Sequence, residues 1–159
     1  MDPVFKFKFP FDNDLLFKEF ESVRHTLTEY ADPRNLMPSS NWLVSRELEK
    51  ENVPYVNNIT KALVIKYGIT GYVSPRFYML TKNTILRDHI DLNTKCSINH
   101  VILGEESPVT YTGYGAFFYE TALLDTTLTH GVMNKGDDRI LFKLSIFDET
   151  FDQVKSKLL

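Results

Sequence analysis

The chain has 159 residues, 43% of them hydrophobic and 25% charged, with a net charge of −3. This fits one soluble globular domain, residues 1–159, and carries no basic stripe of the kind that nucleic-acid binding needs, so a nucleic-acid partner is disfavoured. One cysteine rules out an intramolecular disulfide framework, and no apolar run approaches the roughly 18 residues of a membrane span.

In chain order, Val4 to Phe11 alternates strictly, with Phe5, Phe7, Phe9 and Phe11 on one face and Lys6 and Lys8 on the other. That pattern predicts a half-buried strand, and Pro10 with the lysines suits a sheet edge that a second copy could extend into a homodimer. Asp12-Asn13-Asp14 supplies a cap for a helix over about 14–30, with Leu16, Phe20, Val23, Leu27 and Tyr30 at helical spacing and His25 on the polar side. Residues 31–41, with Pro33, Pro38, Ser39 and Ser40, read as loop. A short helix is expected around 43–52, then a loop over 52–58 containing Pro54. Trp42 and Tyr55, just ahead of the core, are candidates to touch substrate.

From residue 62 the period turns towards two. Strands are expected at 62–69, 71–80 with a break at Pro75, 84–91, 97–103, 109–112, 115–121, 126–134 and 139–147. A C-terminal helix begins near Asp148, with Phe151, Val154 and Leu158 on one face. Eight short strands separated by turn signals indicate a sandwich or barrel. The N-terminal helices of residues 1–60 are expected to cover one sheet of the 62–147 core. Met79, Met133, Cys96 and the Phe117-Phe118-Tyr119 run read as core.

Two stretches carry chemistry. In Arg87-Asp88-His89-Ile90-Asp91, strand alternation sends His89 and Asp91 the same way. A neutral imidazole and a carboxylate so placed make two ligands of a divalent metal, and His130 is the candidate third in a two-His, one-carboxylate face. After His130, a turn around Gly136-Asp137 leads into the strand that begins at Arg139. Closed as a hairpin, it would pair His130 with Lys143, Val132 with Leu141 and Asn134 with Arg139, so that His130, Arg139 and Lys143 share a face. A fixed cation beyond a metal suits a dicarboxylate that chelates at one end and forms an ion pair at the other.

The H-x-D, the distal His and the following basic residue resemble the Fe(II)/2-oxoglutarate-dependent oxygenases. Thr129-His130-Gly131-Val132-Met133-Asn134 with Arg139 is most similar to the aspartyl/asparaginyl β-hydroxylase branch, near the prolyl hydroxylases. The likeness covers about residues 72–147. It implies a mainly β, double-stranded β-helix (jelly-roll, cupin-like) fold, with Fe(II), 2-oxoglutarate and O2 as cofactor and cosubstrates. The prime substrate would be a protein side chain or a small molecule such as an amino acid. It also implies that Arg139, nine residues after His130 where ten is usual, anchors the cosubstrate, with Lys143 as the competing cation. Tyr78 and His100, eleven residues either side of His89, fall where the branch places cosubstrate contacts. Ile98 stands where the branch tends to have arginine, and Asp91 supplies an acidic ligand that the true aspartyl hydroxylases lack. The rival readings are a non-catalytic jelly-roll binding module and a cupin-type metalloenzyme that does not use 2-oxoglutarate. The location expected is cytoplasmic.

Overall fold

The structure, a computed structural model, describes residues 1–30, 42–104 and 107–159. Two antiparallel sheets face each other. The larger is built from β1 (Val4–Lys6), β2 (Thr28–Glu29), β3 (Trp42–Val44), β4 (Val73–Leu80), β6 (Cys96–Leu103), β9 (Thr121–Leu124) and β11 (Arg139–Ile146), in the order β1-β9-β6-β11-β4-β3-β2. The smaller holds β5 (Ile85–His89), β7 (Val109–Tyr111), β8 (Gly115–Phe117) and β10 (His130–Met133), in the order β5-β10-β7-β8. From β4 onwards the chain crosses repeatedly between the two sheets, which is the winding of a double-stranded β-helix. The jelly-roll expectation therefore holds.

Three helices lie on the outer face of the larger sheet: α1 (Asn13–Val23), α2 (Pro54–Tyr67) and α3 (Phe151–Leu158). Leu16 and Phe20 of α1, Val56 and Leu63 of α2, and Val154 of α3 pack on Phe77, Ile98, Phe142 and Ile146 in one buried cluster. Strand alternation leaves the opposite face of the same strands towards the smaller sheet, where Tyr78, Leu80, Val101 and Leu141 meet Leu86, Val109 and Val132. The site lies between the sheets on this second face. None of the helices among the described residues is long and apolar enough to cross a membrane.

Local chemistry explains most boundaries. Asp12 caps α1 by accepting from the Leu15 N–H, as expected, and a 3-10 turn at Arg24–Thr26 ends the helix well before residue 30. The expected strand at 62–69 is the second half of α2. Pro54 occupies its first turn and Gly68 closes it in the left-handed conformation at φ 59°. Val56, Leu63 and Tyr67 recur at helical spacing towards the core, so the β-branched run was a weaker signal than its brackets. The helix expected at 43–52 is instead β3 followed by a 3-10 turn at Leu48–Lys50.

Pro75 does not break β4. Phe77, two residues on, directs its N–H and C=O to Ser45, away from β11, so Pro75 lacks an N–H only on the side that β3 does not reach. The expected 115–121 strand divides into β8 and β9 because the chain changes sheets between them. The loop expected at 31–41 lies outside the described residues. The strand expected over Val4–Phe11 is confined to Val4–Lys6, where it forms a sheet edge, and Phe5, Phe7, Phe9 and Phe11 lie against the helix-side core.

The expected β10–β11 hairpin does not form. β10 pairs with β5 and β7 in the smaller sheet, and β11 pairs with β4 and β6 in the larger. The turn between them is a crossover, held by Asn134, whose Nδ2 lies within 3.1 Å of the carbonyls of Leu80, Thr81 and Asp137.

His100 also departs from expectation. On β6 its neighbours Asn99 and Val101 face the cavity, so His100 faces the helices. It stacks on Phe11 at 4.3 Å, and its ring nitrogens bond Thr121 Oγ1 and Asn13 Oδ1 at 2.7 and 2.5 Å. Burial pushes its pKa down to about 4 from an ordinary value of 6.5. The unfolded chain therefore binds the extra proton first, and the stability of the neutral ring, full above pH 6.5, is lost as pH falls towards 4. Urea unfolding of wild type and His100→Gln at pH 7 and pH 4.5 should show a steeper loss for wild type, by up to about 3 kcal/mol.

Candidate metal centre

The three predicted ligands meet. His89 closes β5 and His130 opens β10, and the two are register partners in neighbouring strands. Gly131 makes that register possible: a Cβ there would stand 2.5 Å from Asp88 Oδ1 and 2.7 Å from the Leu86 carbonyl, where the pairing shifts by a bulge. Asp91 lies just past β5, its N–H bonded to the Thr126 carbonyl. Its Oδ1 is 3.2 Å from His89 Nε2 and 3.3 Å from His130 Nε2.

Those separations match neighbouring corners of an octahedron with bonds of about 2.1 Å, where adjacent donors stand roughly 3.0 Å apart. The tautomers agree. His89 Nδ1 is 2.6 Å from the Arg87 carbonyl and His130 Nδ1 is 2.7 Å from the Leu128 carbonyl. A carbonyl only accepts, so both Nδ1 atoms carry the proton and both Nε2 atoms offer a lone pair. Two imidazole lone pairs and a carboxylate oxygen then point at one another, an arrangement that a cation between them resolves. The Tyr111 ring stacks on His130 with centroids 5.2 Å apart and fixes its tilt. The donor set, two nitrogens and one carboxylate oxygen, suits Fe(II) and leaves positions open.

The larger sheet supplies the charges opposite. Arg139, Leu141, Lys143 and Ser145 of β11 face inward by alternation. Lys143 Nζ donates to Asp91 Oδ2 at 2.6 Å and stands 5.2 Å from the centre of the Tyr78 ring. Burial opposes the charge on Asp91, but the Lys143 ammonium beside it holds its carboxyl well below the usual range. Lys143 is raised in turn: burial works against its charge, and Asp91 more than restores it.

Arg139 lies deeper and is 1% exposed. Its Nη1 donates to the carbonyls of Gly104 and Ser107 at 2.7 and 2.6 Å, and Nη2 lies 3.4 Å from the Tyr119 hydroxyl. Gly104, at φ 94°, is required there, because a Cβ would stand 2.9 Å from Arg139 Cα. The Arg139 Nε is buried with no partner among the described residues. An orphaned donor beside a cavity is the mark of a ligand. Asn99 Nδ2 donates to the same Tyr119 hydroxyl at 3.2 Å.

A cavity of about 550 Å³ joins these groups, with Tyr78, His89, Asp91, Tyr119, His130 and Arg139 among its walls. Tyr78 is thus in the site, its ring stacked on Trp42 at 4.9 Å. Burial raises its phenol above the ordinary value. Trp42 lines the cavity, whereas Tyr55 lies at the start of α2, its hydroxyl accepting from the Asp12 N–H, and is not part of it. His100 is not in the cavity either. Asn99, on the face opposite His100, lines the cavity, as do Tyr119 and Arg76, which the sequence reading did not single out. The alternation that removes His100 selects Asn99, and Tyr119 was hidden inside an aromatic run that looked like core.

No family model matches the chain, and no curated protein matches its sequence. Solved structures do match. The viral collagen prolyl hydroxylase vCPH from Paramecium bursaria Chlorella virus-1, in complex with 2OG, aligns with TM-score 0.59 at 10% identity, covering 91% of this chain and 95% of that one. HygX from Streptomyces hygroscopicus, with nickel and 2-oxoglutarate bound, aligns with TM-score 0.59 at 13% identity, covering 93% and 84%. A Pseudomonas putida prolyl-4-hydroxylase aligns with TM-score 0.58 at 10% identity, covering 86% of each. With its two crossing sheets and the convergent His89, Asp91 and His130, the chain has the fold of the 2-oxoglutarate–Fe(II) oxygenases.

Proposed function

We propose that this chain is an Fe(II)- and 2-oxoglutarate-dependent dioxygenase that hydroxylates a small molecule or a protein side chain. The observation that carries the proposal is the pairing of the convergent His89, Asp91 and His130 with a buried arginine, Arg139, whose Nε is unpaired, in the walls of one cavity. His89, Asp91 and His130 hold the iron, and Arg139 takes the distal carboxylate of 2-oxoglutarate. Iron with 2-oxoglutarate and O2 supplies oxidative decarboxylation and insertion of an oxygen atom into a C–H bond.

The protein's own groups set up that chemistry. Lys143 occupies Asp91 Oδ2, which leaves Oδ1 alone for the metal and keeps the carboxylate a one-point ligand. The carbonyls of Arg87 and Leu128 lock both imidazoles in the ligating tautomer. Arg139 and Lys143, four residues apart on one strand, span roughly 13 Å, enough for a five-carbon dicarboxylate between metal and guanidinium. Because Lys143 is engaged with Asp91 while the Arg139 Nε is unpartnered, Arg139 is the better anchor, with the Tyr119 hydroxyl and Asn99 beside it. Leu86, Val109, Val132 and Leu141 line the same space and limit water around the reacting centre.

Anaerobic Fe(II) titration with 2-oxoglutarate should produce the visible charge-transfer band of the chelate, and admission of O2 should yield succinate. His130→Ala should abolish both, and a variant that keeps the band overturns the ligand assignment. Arg139→Met should weaken 2-oxoglutarate about a hundredfold, since a charge-assisted two-point contact is lost, with Arg139→Lys falling in between. Circular dichroism of each variant separates this loss from misfolding. A Lys143→Met protein that loses cosubstrate affinity more than Arg139→Met would reverse the anchor assignment.

A further inference from the structure

Beyond the metal, on the side away from Arg139, the inner face of the larger sheet changes character. The register aligns Arg76 with Lys143 and Lys143 with Asn99, forming one polar row across three strands. The next row outward is Ser74, Ser145 and Ser97, again direct partners across β4, β11 and β6. All six residues line the cavity. Sheet interiors are usually filled with branched apolar side chains, and here two successive rows are wholly polar.

Arg76 is the group in this region whose charge is unmet. Its Nη1 donates to the Ser45 carbonyl at 3.0 Å and its Nε lies 3.4 Å from Ser74 Oγ, which fixes the plane of the fork. Among the described residues it forms no ion pair. Asp91 is committed to Lys143 and to the metal position, and Glu29, the other acid in the lining, is exposed and does not pair with Arg76. The Ser145 hydroxyl has no hydrogen-bond partner among the described residues although the residue is 6% exposed. A guanidinium held in plane by Ser45 and Ser74, with Nη2 left over, beside the unspent Ser145 hydroxyl matches an oxyanion.

We propose that the prime substrate is a small molecule bearing an oxyanion, a carboxylate or a phosphate, gripped by Arg76 and the Ser145 hydroxyl so that a neighbouring C–H bond faces the metal position. This rests on the oxygenase reading, because it takes the opposite end of the cavity to be filled by 2-oxoglutarate. It separates this chain from oxygenases that select a neutral peptide side chain: an uncharged substrate would leave the Arg76 fork buried against it without a counter-charge.

The test uses the full chain loaded with Zn(II), as a diamagnetic substitute for Fe(II), and with 2-oxoglutarate, whose binding is measured first by calorimetry. The arginine side chains are labelled with 15N, and the Arg76 Nε–H resonance is assigned by its disappearance in Arg76→Lys. Sodium acetate and inorganic phosphate are then titrated separately against sodium chloride at equal ionic strength. A saturable shift of the Arg76 resonance with acetate assigns a carboxylate, and one with phosphate assigns a phosphate ester. In calorimetry Arg76→Met should weaken the effective anion about tenfold or more. Failure of 2-oxoglutarate to bind would remove the oxygenase reading together with this inference. If 2-oxoglutarate binds but Arg76 responds to neither anion, or Arg76→Met binds them as tightly as wild type, this inference alone falls.

Discussion

Three acceptors brought within hydrogen-bonding distance of one another organise this protein. His89 Nε2, His130 Nε2 and Asp91 Oδ1 are held where one cation would satisfy all three. Their placement is set by groups with no role at the reacting centre. The Arg87 and Leu128 carbonyls fix the rings, Tyr111 supports His130, and Lys143 keeps Asp91 charged despite its burial. Each is short-range, and each comes from a different segment. Such preorganisation is how a site avoids reorganising when its ligands arrive.

The division of labour between the sheets follows from their construction. The larger sheet has long central strands covered by three helices, so its inward residues stand at fixed heights. It carries Arg76, Arg139, Lys143 and Asn99, the cations and the amide that line the cavity. The smaller sheet has short strands and carries the imidazoles. Between them lies a graded cavity: Arg139 at one end, the triad in the middle, and two polar rows towards the other end. The order along β11 is simply the order of alternate residues in the sequence Arg139-Ile140-Leu141-Phe142-Lys143-Leu144-Ser145.

Much of this was legible in the sequence, for uneven reasons. H-x-D followed by a distal His picked out three side chains that do converge, because the pattern is local to residue type and spacing. The shared orientation of His130, Arg139 and Lys143 was also anticipated, but from a hairpin that does not exist. Residues on opposite sheets of a sandwich face each other as surely as cross-strand neighbours do, and period-two patterning cannot tell the two arrangements apart. The strand expected at 62–69 failed because Ile and Val were weighed above the Pro54 and Gly68 that bracket a helix. His100 failed for a sharper reason: a one-residue shift inverts the face of a strand, and spacing carried over from relatives does not specify the face. Tyr119 and Arg76 were out of reach because their roles depend on which strands become neighbours, a long-range property.

The contact between Lys143 and Asp91 joins β11 to the segment after β5, so it spans the two layers. It works as a clasp between the layers. With an ion bound, the same carboxylate would be tied from both sides, to Lys143 of the larger sheet and, through the ion, to the imidazoles of the smaller. Loading the centre would then stiffen the whole barrel mouth, and the exchange of amide protons along β5 and β10 would record how firmly it is shut.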